Sequence, residues 1–215
     1  MKKKLLILGC GGHGKVIADV AEKNSHYQEI SFLDNKFLKN EFKKDPFSKR
    51  ILGEISKENI LKFSSQFTHF FVGLGDNKLR IKWLKIIKQM SLEIPIIIDP
   101  SAKISRYAKI EMGTFINTNV VIQFDSKIKF GSILNTASNV DHHSSIGEGT
   151  HISPGVNISG NVNIGKNCWI GVGSNILQNI YIGDNVIVGG GSLVLKSIPE
   201  NVMVFGNPCK IIKNI

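Results

Sequence analysis

Residues 134–170 read LNTASNVDHHSSIGEGTHISPGVNISGNVNIGKNCWI, and an aliphatic residue returns at every sixth position: Leu134, Val140, Ile146, Ile152, Ile158, Ile164, Ile170. The same register extends from Ile98 to Val194 and is met seventeen times without a miss. Four residues after each of the first sixteen stands a small or β-branched residue, among them Ser132, Ser144, Val156, Cys168 and Ser174. A period of six fits neither an α-helix nor a hairpin meander. It fits a solenoid whose flat sides are one hexapeptide long, with three sides to a coil of eighteen residues. The aliphatic residue is expected to point at the axis, and the slot four residues later to face inward with less room. Gly147, Gly165, Gly171, Gly183 and Gly189 follow the aliphatic residue directly, where the chain is expected to bend. Periodicity alone leaves the hand of the coil open.

Before Ile98 the pattern is different. A strand at Leu5–Leu8 leads into a glycine turn, a helix from about Lys15 to Lys23 and a strand at Ile30–Leu33. A Lys-rich loop, a strand at Thr68–Leu74, a helix near Leu79–Met90 and a short strand at Pro95–Ile98 follow. That alternation predicts a small Rossmann-like βαβ domain with a parallel sheet. Pro199, Gly206 and Pro208 end the repeat and leave a short basic tail. The expected organisation is therefore an α/β domain at 1–97, a parallel β-helix at 98–198 and a tail at 199–215.

The net charge of +10 is concentrated early: residues 1–94 carry 18 Lys and Arg against 10 Asp and Glu. The lysines are dispersed, no aromatic residues are interleaved with them and no groove-reading motif appears, so nucleic acid is not the expected partner. A pocket for a diphosphate fits the basic excess better. The apolar run Leu5–Leu8 is too short for a signal peptide, and no stretch reaches the length of a membrane span. A soluble, cytoplasmic protein without a membrane partner is expected. Cys10, Cys168 and Cys209 are scattered and form no Cys-x-x-Cys pair, so reduced thiols are expected. Cys168 occupies the small inward slot and reads as core.

Gly9-Cys10-Gly11-Gly12-His13-Gly14 satisfies G-x-G-x-x-G after a strand and before a helix, and the next strand ends in Asp34. Glycines let backbone approach a phosphate, and a helix N-terminus supplies N–H groups and partial positive charge. The 97 residues before the solenoid are too few for a complete dinucleotide site, which favours a nucleotide-linked sugar over NAD. Gly73-Leu74-Gly75-Asp76-Asn77-Lys78-Leu79-Arg80 forms a second strand-to-helix turn on the same sheet edge, with Asn77 and Arg80 as candidate contacts and Arg80 aimed at a phosphate. Asp141, His142, His143 and His151 place three of the chain's six histidines within ten residues of the solenoid. An imidazole titrates near neutral pH and suits a general base. His142 and His151 are half a coil apart, on different sides of one solenoid, and would share a pocket across a subunit boundary. No further histidine completes a metal set, so no metal is expected.

Together GCGGHG, FLDN at the second strand end, GLGDNKLR, the hexapeptide run with NVDHHSS, and the terminal GNPCK resemble the bacterial sialic-acid O-acetyltransferase and amino-sugar N-acetyltransferase (NeuD/PglD) family over essentially the whole chain. The resemblance implies a left-handed β-helix, a homotrimer and N-acetylation of a nucleotide-linked amino (dideoxy) sugar by acetyl-CoA, for bacterial surface glycan synthesis. His142 matches the family's general base, acting in direct attack of the amine on the thioester. His151 matches the histidine that contacts the acetyl group. Gly160, Val172 and Gly190 match positions lining the acetyl-CoA groove, and Pro208 and Lys210 the turn near the cofactor's nucleotide end. Gly11, Gly12, His13, Asp34, Asn35 and Gly75 match the nucleotide-sugar pocket, and Asn135 a position near the sugar. In the family a carboxylate follows the base; here His143 stands in its place, so either Asp141 substitutes, a carboxylate arrives from elsewhere or the base is less basic, with Asp141 and His143 as the candidate modulators. The competing readings are O-acetylation of a sialic acid and a non-catalytic, nucleotide-binding trimeric scaffold.

Overall fold

The computed structural model describes residues 3–24, 26–36 and 49–215, so most of the Lys-rich loop expected after the second strand lies outside the described residues. The chain divides into two compact units, Met1–Ile97 and Ile98–Ile215.

In the first unit, strand β1 (Lys3–Leu8) buries Leu5 through Leu8 completely, as a central parallel strand covered on both faces must. The glycine turn opens helix α1 (Gly12–Lys23), whose Ile17, Ala18, Val20 and Ala21 are buried. Strand β2 (Tyr27–Leu33) pairs parallel with β1, matching Leu5 to Ile30 and Leu8 to Leu33. Two elements absent from the sequence reading follow: a short strand β3 (Ile51–Gly53) beside β2, and helix α2 (Lys57–Phe63). Ser56 caps α2, its hydroxyl accepting from Asn59 N at 3.1 Å. Strand β4 (His69–Val72) pairs with the other side of β1, and helix α3 (Asn77–Gln89) starts at Asp76, whose carboxylate accepts from Leu79 N at 2.7 Å. The sheet order is β3-β2-β1-β4, all parallel, with its carboxyl edge at the glycine turns after β1 and β4.

The second unit is a left-handed parallel β-helix. Two-residue strands stack in a register of eighteen, Ile110 on Ile128 on Ile146 on Ile164 on Ile182. The first face carries strands at 103–104, 121–122, 139–140, 157–158, 175–176 and 193–194; the second, those at 109–110 through 181–182; the third, those at 115–116 through 187–188. The aliphatic column fills the axis, with Leu134, Val140, Ile146, Ile152 and Ile170 fully buried. The tighter slot is also buried, and corner carbonyls satisfy several of its polar members: Ser126 Oγ donates to Asp141 O at 2.8 Å, Ser144 Oγ to Ser159 O at 3.0 Å and Cys168 Sγ to Gly183 O at 3.0 Å. Burial pushes the Cys168 thiol up to about 11, in keeping with a core residue.

The corners correct one expectation. The left-handed backbone falls three residues after the aliphatic position, at Asn119, Asp125, Ala137, His143, Asn161, Asn167, Asn179 and Asn185 and at Gly131, Gly149, Gly155, Gly173 and Gly191. Gly147, Gly165 and Gly183, directly after the aliphatic residue, serve close stacking instead: a Cβ on Gly147 would overlap the carbonyl of Gly165 in the next coil. The end of the chain is also more ordered than a tail. Val202–Gly206 adds parallel to the strand at 187–188, and Cys209–Asn214 returns antiparallel through a turn at Asn207-Pro208, extending the third face.

Candidate active site

At the carboxyl edge of the first sheet the glycines divide into two groups. Gly9, Gly14 and Gly73 pack backbone on backbone: a Cβ on Gly14 would overlap Gly9 O, and one on Gly73 would lie 2.7 Å from Gly14 Cα. Gly11, Gly12 and Gly75 would meet nothing within 4 Å, so their backbone is open to approach. The first turn of α1 has neither a side-chain cap nor an acidic residue of its own, so its N–H groups are not covered by the helix's own side chains. Asp34 ties the two strand ends together, Oδ2 accepting from Cys10 N at 2.6 Å and Oδ1 from Lys36 N at 2.8 Å. Asn35 Oδ1 accepts from Ile55 N at 3.0 Å. His13 lies in the same cluster, and burial, helped by the Arg80 charge, lowers it to about 4.

Arg80 is not the outward phosphate contact that the sequence suggested. Its side chain is buried, with Nη1 donating to Leu74 O at 3.2 Å and Gly75 O at 3.1 Å, and Nη2 to Asn77 Oδ1 at 2.9 Å. Three acceptors on one short turn draw the guanidinium inward, and burial lowers it to about 10, so it stays charged at neutral pH. Asn77 and Arg80 thus shape the turn that exposes Gly75.

On the β-helix, residues 141–143 form the corner between the first and second faces. Asp141 Oδ1 accepts from His142 N at 2.7 Å, and His142 O accepts from Asn161 N at 3.0 Å in the next coil. The exposed His142 ring places Nδ1 2.9 Å from His143 Nδ1. Its other edge rests on Gly160: a Cβ there would come within 2.5 Å of Cε1 and 2.7 Å of Nε2. Gly160 therefore belongs to the His142 corner and not to the corner of Val172 and Gly190. A cleft of about 320 Å³ opens beside Asp141 on the first face, lined by Gln123, Asn139, Asn157 and Ser159.

His151 projects from the third face, opposite that corner, so one chain does not bring it to His142. It is buried at 7% exposure between Asn135, whose Nδ2 is 3.4 Å from His151 Nε2, and Trp169, whose ring centroid lies 4.4 Å away. Asn135 in turn accepts from Asn117 Nδ2 at 2.9 Å. Val172 and Gly190 stack on the corner after this face; Val172 is exposed, and a Cβ on Gly190 would meet it at 3.1 Å. Pro208 and Lys210 border a second cleft of about 320 Å³ with Leu195, Ile198 and Ile211. The site residues thus fall into three groups: the sheet edge, the His142 corner, and a line on the third face and its corner.

Three neighbours escaped the sequence reading. Trp169 lies one coil from His151, and Phe124 one coil from His142, so the eighteen-residue step was sufficient to find both. Tyr107, one residue off that register, packs 5.0 Å from the Phe124 ring. Among the described residues no three His, Cys, Asp or Glu side chains converge as metal ligands, and no helix is long and apolar enough to cross a membrane.

Residues 4–87 match the family model of the PglD N-terminal domain, and residues 161–196 that of the bacterial transferase hexapeptide (six repeats). No curated protein sequence matches the chain. Among solved structures, the acetyltransferase domain of PglB from Neisseria gonorrhoeae FA1090 is 33% identical, with 98% of this chain and 100% of that one covered at a TM-score of 0.89. The same domain in complex with acetyl coenzyme A is 32% identical, covering 99% and 100%, at a TM-score of 0.91. PerB from Caulobacter crescentus, in complex with CoA and GDP-perosamine, is 26% identical over 99% of each chain at a TM-score of 0.90. With its sheet edge, its hexapeptide corner histidines and this full-length likeness, the chain belongs to the PglD-type sugar N-acetyltransferases and is an acyltransferase of the hexapeptide-repeat class.

Proposed function

We propose that this protein transfers the acetyl group of acetyl-CoA to the amine of a nucleotide-linked amino sugar destined for a bacterial surface glycan, with His142 as general base. The observation that carries this reading is an exposed imidazole held at a fixed angle, Gly160 under one edge and His143 at the other. The sugar nitrogen attacks the thioester carbonyl, the N–C bond forms and the C–S bond breaks. The proton shed by the nitrogen passes to His142 Nε2 and then to the departing sulfur, leaving an amide and free CoA thiol. The open backbone of Gly11, Gly12 and Gly75 and the N-terminal end of α1 suit the diphosphate, with His13, Asp34 and Asn35 around it. Asn77 and Arg80 act there by holding the Gly75 turn. His151, Val172, Gly190, Pro208 and Lys210 suit an extended cofactor, running from the acetyl group at His151 to the nucleotide end at the C-terminal turn. Asn135 acts through its contact with His151. Because His142 and His151 leave one β-helix on opposite sides, each site is proposed to combine two neighbours of a homotrimer.

The test is release of free CoA thiol from acetyl-CoA with a panel of UDP-, TDP-, GDP- and CMP-linked amino sugars, with a sialic acid as the hydroxyl acceptor. Turnover is expected with an amine, and His142→Ala should lower it by about 10²–10⁴ while cofactor binding persists. Turnover with the sialic acid alone would replace N- by O-acetylation. Nucleotide binding without thiol release from any acceptor would leave a scaffold.

A further inference from the structure

The contact between His142 Nδ1 and His143 Nδ1, at 2.9 Å, joins two groups that can each donate or accept. A hydrogen bond between two imidazole nitrogens needs a proton on one and a bare lone pair on the other. If His143 donates, His142 Nδ1 is the acceptor, its proton sits on Nε2, and neither nitrogen is left to take a proton from a substrate. If His142 donates, its Nε2 is bare, on the ring edge that lies against Gly160. From this geometry, and resting on the reading of His142 as base, we infer that His143 is a positioning residue: it accepts from His142 Nδ1–H and so fixes the tautomer of the base. A neutral imidazole here does the orienting work of a carboxylate without a fixed negative charge.

The surroundings of His143 fit an acceptor held in place. Its backbone is left-handed (φ 58°), a conformation His tolerates better than most residues, and its N–H donates to Phe124 O at 3.0 Å. Its ring meets Phe124 edge-on at 5.7 Å, and Phe124 meets Tyr107 at 5.0 Å. Arg106 anchors the column, Nη2 donating to the Tyr107 hydroxyl at 2.6 Å with the guanidinium 4.7 Å from the ring. Asp141 Oδ1 accepts from the backbone N–H of His142, whereas the contact to the His142 ring is made by His143. After proton uptake at Nε2 the His142 imidazolium still donates from Nδ1 to His143, so the pair passes through turnover with no proton moving between the rings.

Two measurements test this. Long-range ¹⁵N–¹H spectra of the protein labelled at histidine should show His142 as the Nδ1–H and His143 as the Nε2–H tautomer. His143→Phe keeps a ring against Phe124 but offers no acceptor, and should lower kcat about 10- to 100-fold with little change in KM for acetyl-CoA. His143→Glu supplies a carboxylate acceptor and should recover kcat to wild-type level or above. An Nε2–H tautomer at His142, or wild-type kcat in His143→Phe, would overturn the inference. The second result beside an inactive His142→Ala removes the positioning role alone, whereas an active His142→Ala removes the base itself. The spectra use the unaltered protein, so the test survives a variant that does not fold.

Discussion

At position 160 the absence of one methyl group decides where the His142 ring can lie. The backbone there is not left-handed, so glycine is not required by the turn; Phe124 and His142 occupy the equivalent position in the two preceding coils. The requirement is steric, since a Cβ would come within 2.7 Å of Nε2. Gly160→Ala should therefore fold with little change in melting temperature and yet lower kcat about tenfold or more, because the displaced ring loses its angle to the amine. An unchanged kcat would show that the ring needs no such support. His13 makes a different kind of prediction. Its ordinary value near 6.5 is lowered to about 4 by burial and then by the Arg80 charge, so the folded state holds it neutral where the unfolded chain would bind a proton. Its contribution to stability is complete above pH 6.5 and is lost as pH falls towards 4, about 2 kcal/mol of it by pH 5. Urea melts at pH 7.5 and 5 should show that loss in the wild type and a smaller one in His13→Gln.

Among the elements, helix α1 shows how one glycine motif divides its labour. Gly12 stands in the first turn with empty space where a Cβ would go, so Gly12→Ala should stabilise the fold by about 0.5 kcal/mol while raising KM for the nucleotide sugar severalfold. Gly14 abuts Gly9 O, so Gly14→Ala should push α1 from the sheet and cost about 2 kcal/mol or more. Thermal melts and KM measured together separate the two, and identical behaviour of the variants would refute the division. Such a distinction was beyond the sequence, where the glycines of GCGGHG look equivalent; only the closeness of β1, α1 and β4 sorts them. The β-helix was legible because its inward residues recur at a fixed step and its register is uninterrupted. Strand β3 and helix α2 were not, since Ile51–Gly53 and the seven residues of Lys57–Phe63 are both too short for a hydrophobic period to show. Arg80 was misread for a related reason: charge suggests exposure, whereas the acceptors that bury it belong to the turn and its own helix start.

At the scale of the whole molecule, the decisive fact is that a three-sided β-helix sends residues half a coil apart to opposite sides. His142 sits on the corner between the first two faces and His151 projects from the third, with the buried column of Ile146, Ile152 and Ile170 between those sides. No side-chain motion crosses a close-packed axis, so an acetyl group held at His151 reaches an imidazole only if that imidazole belongs to a neighbour. On the proposed roles of His142 and His151, each site would be shared between neighbouring chains, and that can be tested without a structure of the assembly. His142→Ala and His151→Ala should each depress kcat/KM for acetyl-CoA when expressed alone. Co-expressed in equal amounts and mixed at random, they should regain about a quarter of wild-type activity, the share of interfaces that pair an intact His142 with an intact His151. Were each site contained within one chain, every chain in the mixture would carry a damaged site, and the activity would stay at the mean of the two variants.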